Sequence, residues 1–376
     1  MQTRASLYVY PELLARNIAK IQKLAPGKEI IAMVKSNGYG HGAIDISNAL
    51  ADSGIKILGV ASLAEALELR QKMASHLCEI YVFSDPQLSD RENLPLYQDF
   101  RLTPVISNRS DLEIFLSSSE FKNSPLLLKF NTGMNRLGLS PSEVESICQQ
   151  IKKAGRKNID HVMTHFACAS QSIELAHNVR QQEEFSKLLD LIKSSGLSVA
   201  GTSISNSGAL EQGTGLEYSH IRPGLILYGA SSLVPGIKTL WDGQLISSLK
   251  VRILETRLMK KGDPIGYGLT PLSRDGKVLI ASIGYGDGFN NRYQKSKFQI
   301  KSQSDQLHDV QVVGRVNMDM VQLLAQPECE IKAGELVSFW DDDPHSIDQI
   351  CSTSKTIAYE LFCQLSVRVP RIFKLP

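Results

Sequence analysis

The chain has 376 residues, 42% of them hydrophobic and 21% charged, with a formal net charge of +2. That length accommodates two domains, or one large barrel with a smaller unit. The nearly balanced charge gives no case for nucleic acid or an anionic membrane as partner. The N-terminus lacks a charged head followed by a long apolar core, and no apolar run reaches membrane-spanning length. Neither a secretory signal nor a membrane span is therefore expected. Six cysteines, at 78, 148, 168, 329, 351 and 363, include no Cys-x-x-Cys pair. That pattern points to reduced thiols, no zinc or other metal site, and a cytoplasmic location.

Residues 3–10 are β-leaning through Leu7, Tyr8, Val9 and Tyr10, and Pro11 opens an amphipathic helix carrying Leu13, Leu14, Ile18, Ile21 and Leu24 on one side. Eight short apolar runs follow, at 29–35, 56–62, 79–84, 102–107, 125–131, 160–166, 198–205 and 218–224. Helical patterns intervene, such as 64–73 and 141–154, the latter opened by Ser140-Pro141. Eight buried-strand candidates separated by crossovers predict a (β/α)8 barrel over residues 11–229. A doubly wound open sheet is the alternative. The even strand count and the lack of a Gly-x-Gly-x-x-Gly first turn disfavour it. Beyond Gly229 the texture changes, with β-rich stretches at 245–259, 278–285, 310–324 and 336–340. Turn pairs Gly262-Asp263, Asp275-Gly276 and Ala333-Gly334 separate them. This predicts a mainly antiparallel β domain over residues 230–376, with residues 1–10 packing against it. A helical pattern at 356–365 and the segment Arg368-Val-Pro-Arg371 finish the chain.

A barrel carries its chemistry on the loops that follow the strands. The first run ends Ile31-Ala-Met-Val-Lys35-Ser-Asn-Gly38-Tyr39-Gly40-His41-Gly42. A lysine closing a buried strand is costly unless its ammonium has a partner or a covalent fate. Pyridoxal 5′-phosphate (PLP) wants such an amine, one that forms a Schiff base and deprotonates readily in a dry pocket. The bland reading is a strand end that snorkels its lysine to water. Later runs end in further polar clusters. These are Lys129-Phe-Asn131-Thr-Gly133-Met-Asn-Arg136-Leu-Gly138, Met163-Thr-His165-Phe166, Ser205-Asn206-Ser207-Gly208 and His220-Ile-Arg222-Pro-Gly224-Leu225-Ile-Leu-Tyr228-Gly229. Phosphate sites on barrels often use the loops after strands seven and eight, so the Ser207 hydroxyl and the Gly224 and Leu225 amides are natural donors. The second domain adds Gly266-Tyr267-Gly268, Ile283-Gly-Tyr285-Gly-Asp287-Gly288, Val313-Gly-Arg-Val-Asn317-Met318-Asp319 and Ala358-Tyr359-Glu360.

In this order, from about Lys35 to Arg371, the motifs resemble those of the alanine racemases. Departures are Ser36, Asn37 and Gly38, Asn131 where the family usually has aspartate, two residues on from Lys129 and hence expected on the same strand face, and Asn317 where it has cysteine. The resemblance implies that Lys35 carries PLP and that Tyr267 is the second acid–base group on the opposite face. It assigns Tyr39, Ser207, Gly224, Leu225 and Tyr359 to the cofactor phosphate and places His165 against the cofactor ring. Arg136 and Met318 would bind the substrate carboxylate, with a carbamate on Lys129 holding Arg136. Tyr285 and Asp319 would line the access to the pocket. Tyr267, Tyr285, Met318 and Asp319 would come from a partner subunit, giving a homodimer with shared active sites.

Arg222 would face the pyridine nitrogen. A guanidinium there donates and stays charged, so the nitrogen remains unprotonated and reprotonation at Cα is favoured over transamination. The implied activity is interconversion of L- and D-alanine by two bases, supplying D-alanine for peptidoglycan. The alternatives are a racemase of broader specificity, a related PLP decarboxylase, or a non-catalytic PLP-homeostasis protein. Arg222 counts against the decarboxylase, and the residues after Gly229 against the last.

Overall fold

The computed structural model describes residues 4–73 and 78–374. Strand β1, Ala5–Val9, leads into a helix at Pro11–Leu24 that buries Leu13, Leu14, Asn17, Ile18 and Ile21. Eight parallel strands then alternate with helices. They are β2 Glu29–Met33, β3 Ile57–Ser62, β4 Glu79–Asp85 and β5 Leu102–Ile106, followed by β6 Leu127–Lys129, β7 Asn158–Met163, β8 Ser198–Ser203 and β9 His220–Ile221. Each pairs in parallel with the next from β2 to β8, and β9 returns to pair with β2. The β8–β9 seam closes through Arg222 N to Ser205 O at 3.0 Å and Thr202 N to Ser219 Oγ at 2.8 Å. This is the (β/α)8 barrel, and β2 and β5 are nearly continuous apolar runs because covered parallel strands are buried on both faces.

The second sheet is mainly antiparallel. Its central strand β10, Ser247–Met259, pairs with Gly276–Ala281, with Leu336–Trp340 and with β1. The N-terminal strand therefore belongs to the C-terminal sheet, where Arg371–Phe373 flanks it in parallel. The β-rich stretch 310–324 is two strands, Leu307–Val313 and Val321–Ala325. Gly314, at φ +66°, begins the loop between them. Strand Lys297–Lys301 and helix His345–Ser354 are additional to the stretches the sequence picked out.

Two devices tie the sheets together around the barrel mouth. Asn17, 1% exposed, donates to Leu227 O (3.1 Å) and Gln244 O (2.8 Å) and accepts from Gln244 N (3.1 Å). Gly229 makes that crossing possible: at φ +95°, a Cβ there would sit 1.8 Å from Gln244 O. Arg371 donates to Gly40 O on the barrel side and to Leu365 O, Ser366 O and Val369 O on its own side. Helix Ala358–Cys363 is thereby held against the turn that follows β2, and a Cβ on Gly40 would collide with Phe362 O.

Asn17→Ala strands two buried carbonyls and one amide, so it should destabilise the fold by about 3 kcal/mol. Denaturant unfolding of the two proteins measures this. A loss near zero would mean that water takes over all three groups.

Candidate active site

Strand β2 stops at Met33, and Lys35 stands at the start of a left-handed turn. Ser36, Asn37, Gly38 and Tyr39 have φ of 54°, 55°, 60° and 51°. Such a turn costs about 1–2 kcal/mol for each non-glycine residue, so it needs outside support. Gly38 N donates to Val34 O at 2.8 Å and Gly42 N to Asn37 O at 2.9 Å. Glu65 accepts from Ser36 N and Ala61 N at 2.7 Å each, and Asn37 Oδ1 accepts from Ala43 N at 3.0 Å. The Lys35 side chain is half-buried at the barrel mouth. Burial first, then Arg136, hold its amine below the ordinary lysine range, against the opposing pull of Glu65 and Cys363.

Lys129, at the end of β6, is 7% exposed. Burial pushes its amine down to about 8, and the charges acting on it, Arg222, Arg136 and Lys35, are all positive. Arg222 is 4% exposed, its pKa lowered by burial to about 9. Its guanidinium donates to Ser203 Oγ, Thr164 O, Ile204 O (3.3 Å) and His165 Nδ1 (3.3 Å). Because a guanidinium only donates, His165 Nδ1 accepts, which excludes the imidazolium, and the Asn206 amide nitrogen lies 3.4 Å from the other ring nitrogen. Burial and Arg222 push the same way on its pKa. Gln181 fixes this strand end by donating to His165 O and accepting from Ala167 N, both at 2.9 Å.

Arg136 is exposed and makes no ion pair with a carboxylate among the described residues. Asn131, expected to share the strand face of Lys129, turns its amide into the loop instead. It accepts from Asn135 N at 2.8 Å and Gly133 N at 3.2 Å.

A cradle forms where the β8 and β9 loops meet the left-handed turn. Ser207 Oγ accepts from Gly224 N at 3.0 Å, which commits that amide and leaves the serine proton free to donate. Tyr39 packs on Tyr228 (centroids 4.8 Å) and beside Tyr359 (5.9 Å), with its hydroxyl against Gly224, where a Cβ would lie 2.4 Å away. The Tyr359 hydroxyl is in hydrogen-bonding reach of Ser207 and Ser232 and is pushed up to about 12, by burial and then by Glu211. Leu225 follows Gly224 into a short buried turn, Leu225–Tyr228.

Glu211 is a functional residue the sequence did not announce. Fully buried, it accepts from Ser231 Oγ, Ser232 N (2.8 Å), Ser232 Oγ (2.6 Å) and Thr239 Oγ1 (3.4 Å). The chain following the barrel is thus held beside Tyr359. Glu65 was equally silent, since its partners lie in other segments.

The remaining site residues are elsewhere. Tyr267 tops the hairpin formed by Pro264–Ile265 and Thr270–Pro271 and is 71% exposed. With Tyr285, Asn317, Met318 and Asp319 it lines a cleft of about 940 Å3 whose walls all come from residues 266–320. Tyr285 N donates to Asn317 O and Gly286 N to Met318 O, each at 3.0 Å. Arg368 bridges Asp287 (3.2 Å) and Asp319 (2.6 Å), which holds the Asp319 carboxyl below its ordinary range. Met318 is 52% exposed at this rim. Within one chain the structure therefore keeps these residues in a cleft of the second domain that no barrel residue lines.

The barrel residues fit PLP: a half-buried amine of lowered pKa, hydroxyl donors around a cradle only glycine leaves open, and a buried guanidinium. Fold and site define the class, a PLP-dependent barrel enzyme with an appended β domain. Residues 10–232 match the family model for the alanine racemase N-terminal domain, and residues 246–373 that for the alanine racemase C-terminal domain. The alanine racemase of Nitrosococcus oceani is 31% identical over 95% of this chain and 96% of its own length. The biosynthetic alanine racemase of Escherichia coli O6:H1 is 31% identical over 97% and 98%. Among solved structures, alanine racemase from Acinetobacter baumannii superposes with a TM-score of 0.85 at 27% identity, covering 99% of this chain and all (100%) of the other. The fold is shared too by alanine racemase from Bartonella henselae with covalently bound pyridoxal phosphate, with a TM-score of 0.83 at 23% identity and coverage of 99% and 100%. The chain belongs to the alanine racemase family.

Gly224→Ala should displace the Tyr39 hydroxyl and weaken PLP binding by about tenfold or more, leaving the circular dichroism spectrum unchanged. A fluorescence titration with PLP reads the loss. Unchanged affinity would remove the Tyr39–Gly224 contact from the site.

Proposed function

We propose that this protein is an alanine racemase that works as a homodimer, each active site combining the barrel half of one subunit with the Tyr267 half of its partner. The observation that carries this reading is the buried Arg222 guanidinium at the base of a half-site whose amine, Lys35, has a lowered pKa. The exposed Tyr267 and Met318 rim supports the dimer, because both expected groups lie on the chain's own surface, away from the barrel.

Lys35 is the amine that would hold the cofactor aldehyde carbon. Tyr39, Ser207, Tyr359 and the Leu225 amide would donate to the phosphate, with Gly224 shaping the space. His165 would lie against the ring, and Arg222 at its nitrogen. When bound, PLP weakens the Cα–H bond of an attached amino acid by drawing off electron density. Once the substrate amine has displaced it, Lys35, whose pKa is lowered by burial and Arg136, favours the neutral amine, so Nζ can take the α-proton of D-alanine. The Tyr267 hydroxyl, arriving from the opposite face, takes that of L-alanine, and each group returns a proton to the face it serves. Arg136 and the Met318 amide orient the substrate carboxylate, while Tyr285 and Asp319 narrow the access.

Lys129 fits a carbamate, since carbon dioxide reacts with a neutral amine and a pKa of about 8 makes one available. The resulting anion would offset Arg222 and Arg136 and steady the otherwise unsupported Arg136 side chain. No helix among the described residues is long and apolar enough to cross a membrane. We place the enzyme in the cytoplasm, where its D-alanine would serve peptidoglycan synthesis. The C-terminal domain match and Arg222 set this reading above a barrel-only homeostasis protein and a decarboxylase.

Purified protein with PLP should convert L-alanine to D-alanine, read by chiral chromatography, and should turn over serine more slowly. Tyr267→Phe should lose roughly 10²–10⁴-fold in rate, and Lys35→Ala nearly all activity. Mixed dimers of the two should partly recover it, since one site then carries both defects and the other neither. No recovery despite proven subunit exchange would contradict the shared site.

A further inference from the structure

Below Arg222, the barrel interior holds a second polar unit. His161 on β7 is 1% exposed, and its Nε2 lies 2.7 Å from Ser203 Oγ on β8. The same oxygen receives Arg222 Nη1. The place for the imidazole is built into the ladder. His161 pairs across it with Gly201, and a Cβ at 201 would come 2.7 Å from His161 Nδ1. On its other side the His220 ring packs edge-on, with centroids 4.6 Å apart.

Donor counting places the protons. A guanidinium has no acceptor, so Ser203 Oγ accepts from Arg222 and its single proton must go elsewhere. His161 Nε2 is the atom in reach. It can accept only if it is unprotonated, which puts the imidazole proton on Nδ1. An imidazolium would aim a second donor at Ser203 Oγ, leave the serine proton without an acceptor, and set two buried cations side by side. Burial, His220 and Arg222 all work against that form.

We propose that His161 and Ser203 are a positioning pair for Arg222. The neutral Nδ1–H imidazole takes the Ser203 proton, which turns the serine lone pair onto Arg222 Nη1. Nη2 is then committed to Thr164 O and His165 Nδ1. Two strands thus fix the plane of the guanidinium before any ligand arrives, and neither residue touches substrate or cofactor. This rests on the reading of Arg222 as the cofactor-ring partner given above. It adds what holds that arginine in place.

The test uses the PLP-loaded protein with 15N-labelled histidine. Long-range proton–nitrogen correlation should show His161 neutral, with Nδ1 protonated, at about pH 6 and about pH 8. His161→Leu and Ser203→Ala should each lower kcat about tenfold, with KM near wild type and a shifted absorbance of bound PLP. The double variant should be no worse than either single one. His161→Gln, whose side-chain oxygen can accept from Ser203, should restore most of the rate and the wild-type spectrum. An imidazolium or an Nε2–H tautomer in the wild-type protein would overturn the proposal, whether or not the variants fold. So would additive losses in the double variant, or wild-type kcat and spectrum in His161→Leu. A wild-type protein that binds PLP but does not racemise alanine would sink the functional reading instead, and the tautomer measurement distinguishes the two failures.

Discussion

Clustered positive charge, eased at Lys35 by Glu65 but reinforced at Lys129 by three other cations, is the constraint on which this structure turns. Lys35, Lys129, Arg136 and Arg222 converge on the carboxyl end of one barrel, and every charge that acts on Lys129 is another cation. Burying cations together is unfavourable unless an anion or a neutral form relieves them. Both kinds of relief are written into the site. The amines of Lys35 and Lys129 are pushed toward neutrality, and the cationic groups suit phosphate, phenolate and carboxylate oxygens.

The second domain is bound to this arrangement at close quarters. Arg371 and Asn17 join it to the barrel through backbone carbonyls, which fix position more sharply than apolar contact does. Helix Ala358–Cys363 can then press against the left-handed turn and deliver Tyr359 to the cradle. The same domain carries Tyr267 and Met318 on its outer surface. One domain thus completes its own chain's phosphate site and presents the other reacting group outward, a division that suits a two-fold pair of subunits.

Much of this was legible in the sequence because strand ends are local features. Lys35 closes an apolar run, Ser207 follows the seventh run and Arg222 lies in the eighth, the two whose loops commonly hold phosphate. The left-handed turn was not legible. Gly38 permits it, but Ser36 and Tyr39 carry no sign of φ near +50°, and the support comes from Glu65, 29 residues away. Glu211 and His161 were silent for the same reason, their partners lying 21 and 42 residues off. Asn131 misled a strand-periodicity argument, because β6 ends at Lys129 and the alternation of faces ends with it. The stretch 310–324 read as β-rich without a break because its apolar content continues past Gly314, where the backbone turns away.

The central claim is that Lys35, among the basic groups of the barrel mouth, is the amine that holds the cofactor. Protein purified with PLP, reduced with borohydride and digested, should carry the pyridoxyl group on the peptide containing Lys35, identified by mass spectrometry. The group found on Lys129 or on any other lysine, or retained nowhere after complete reduction, would contradict the account.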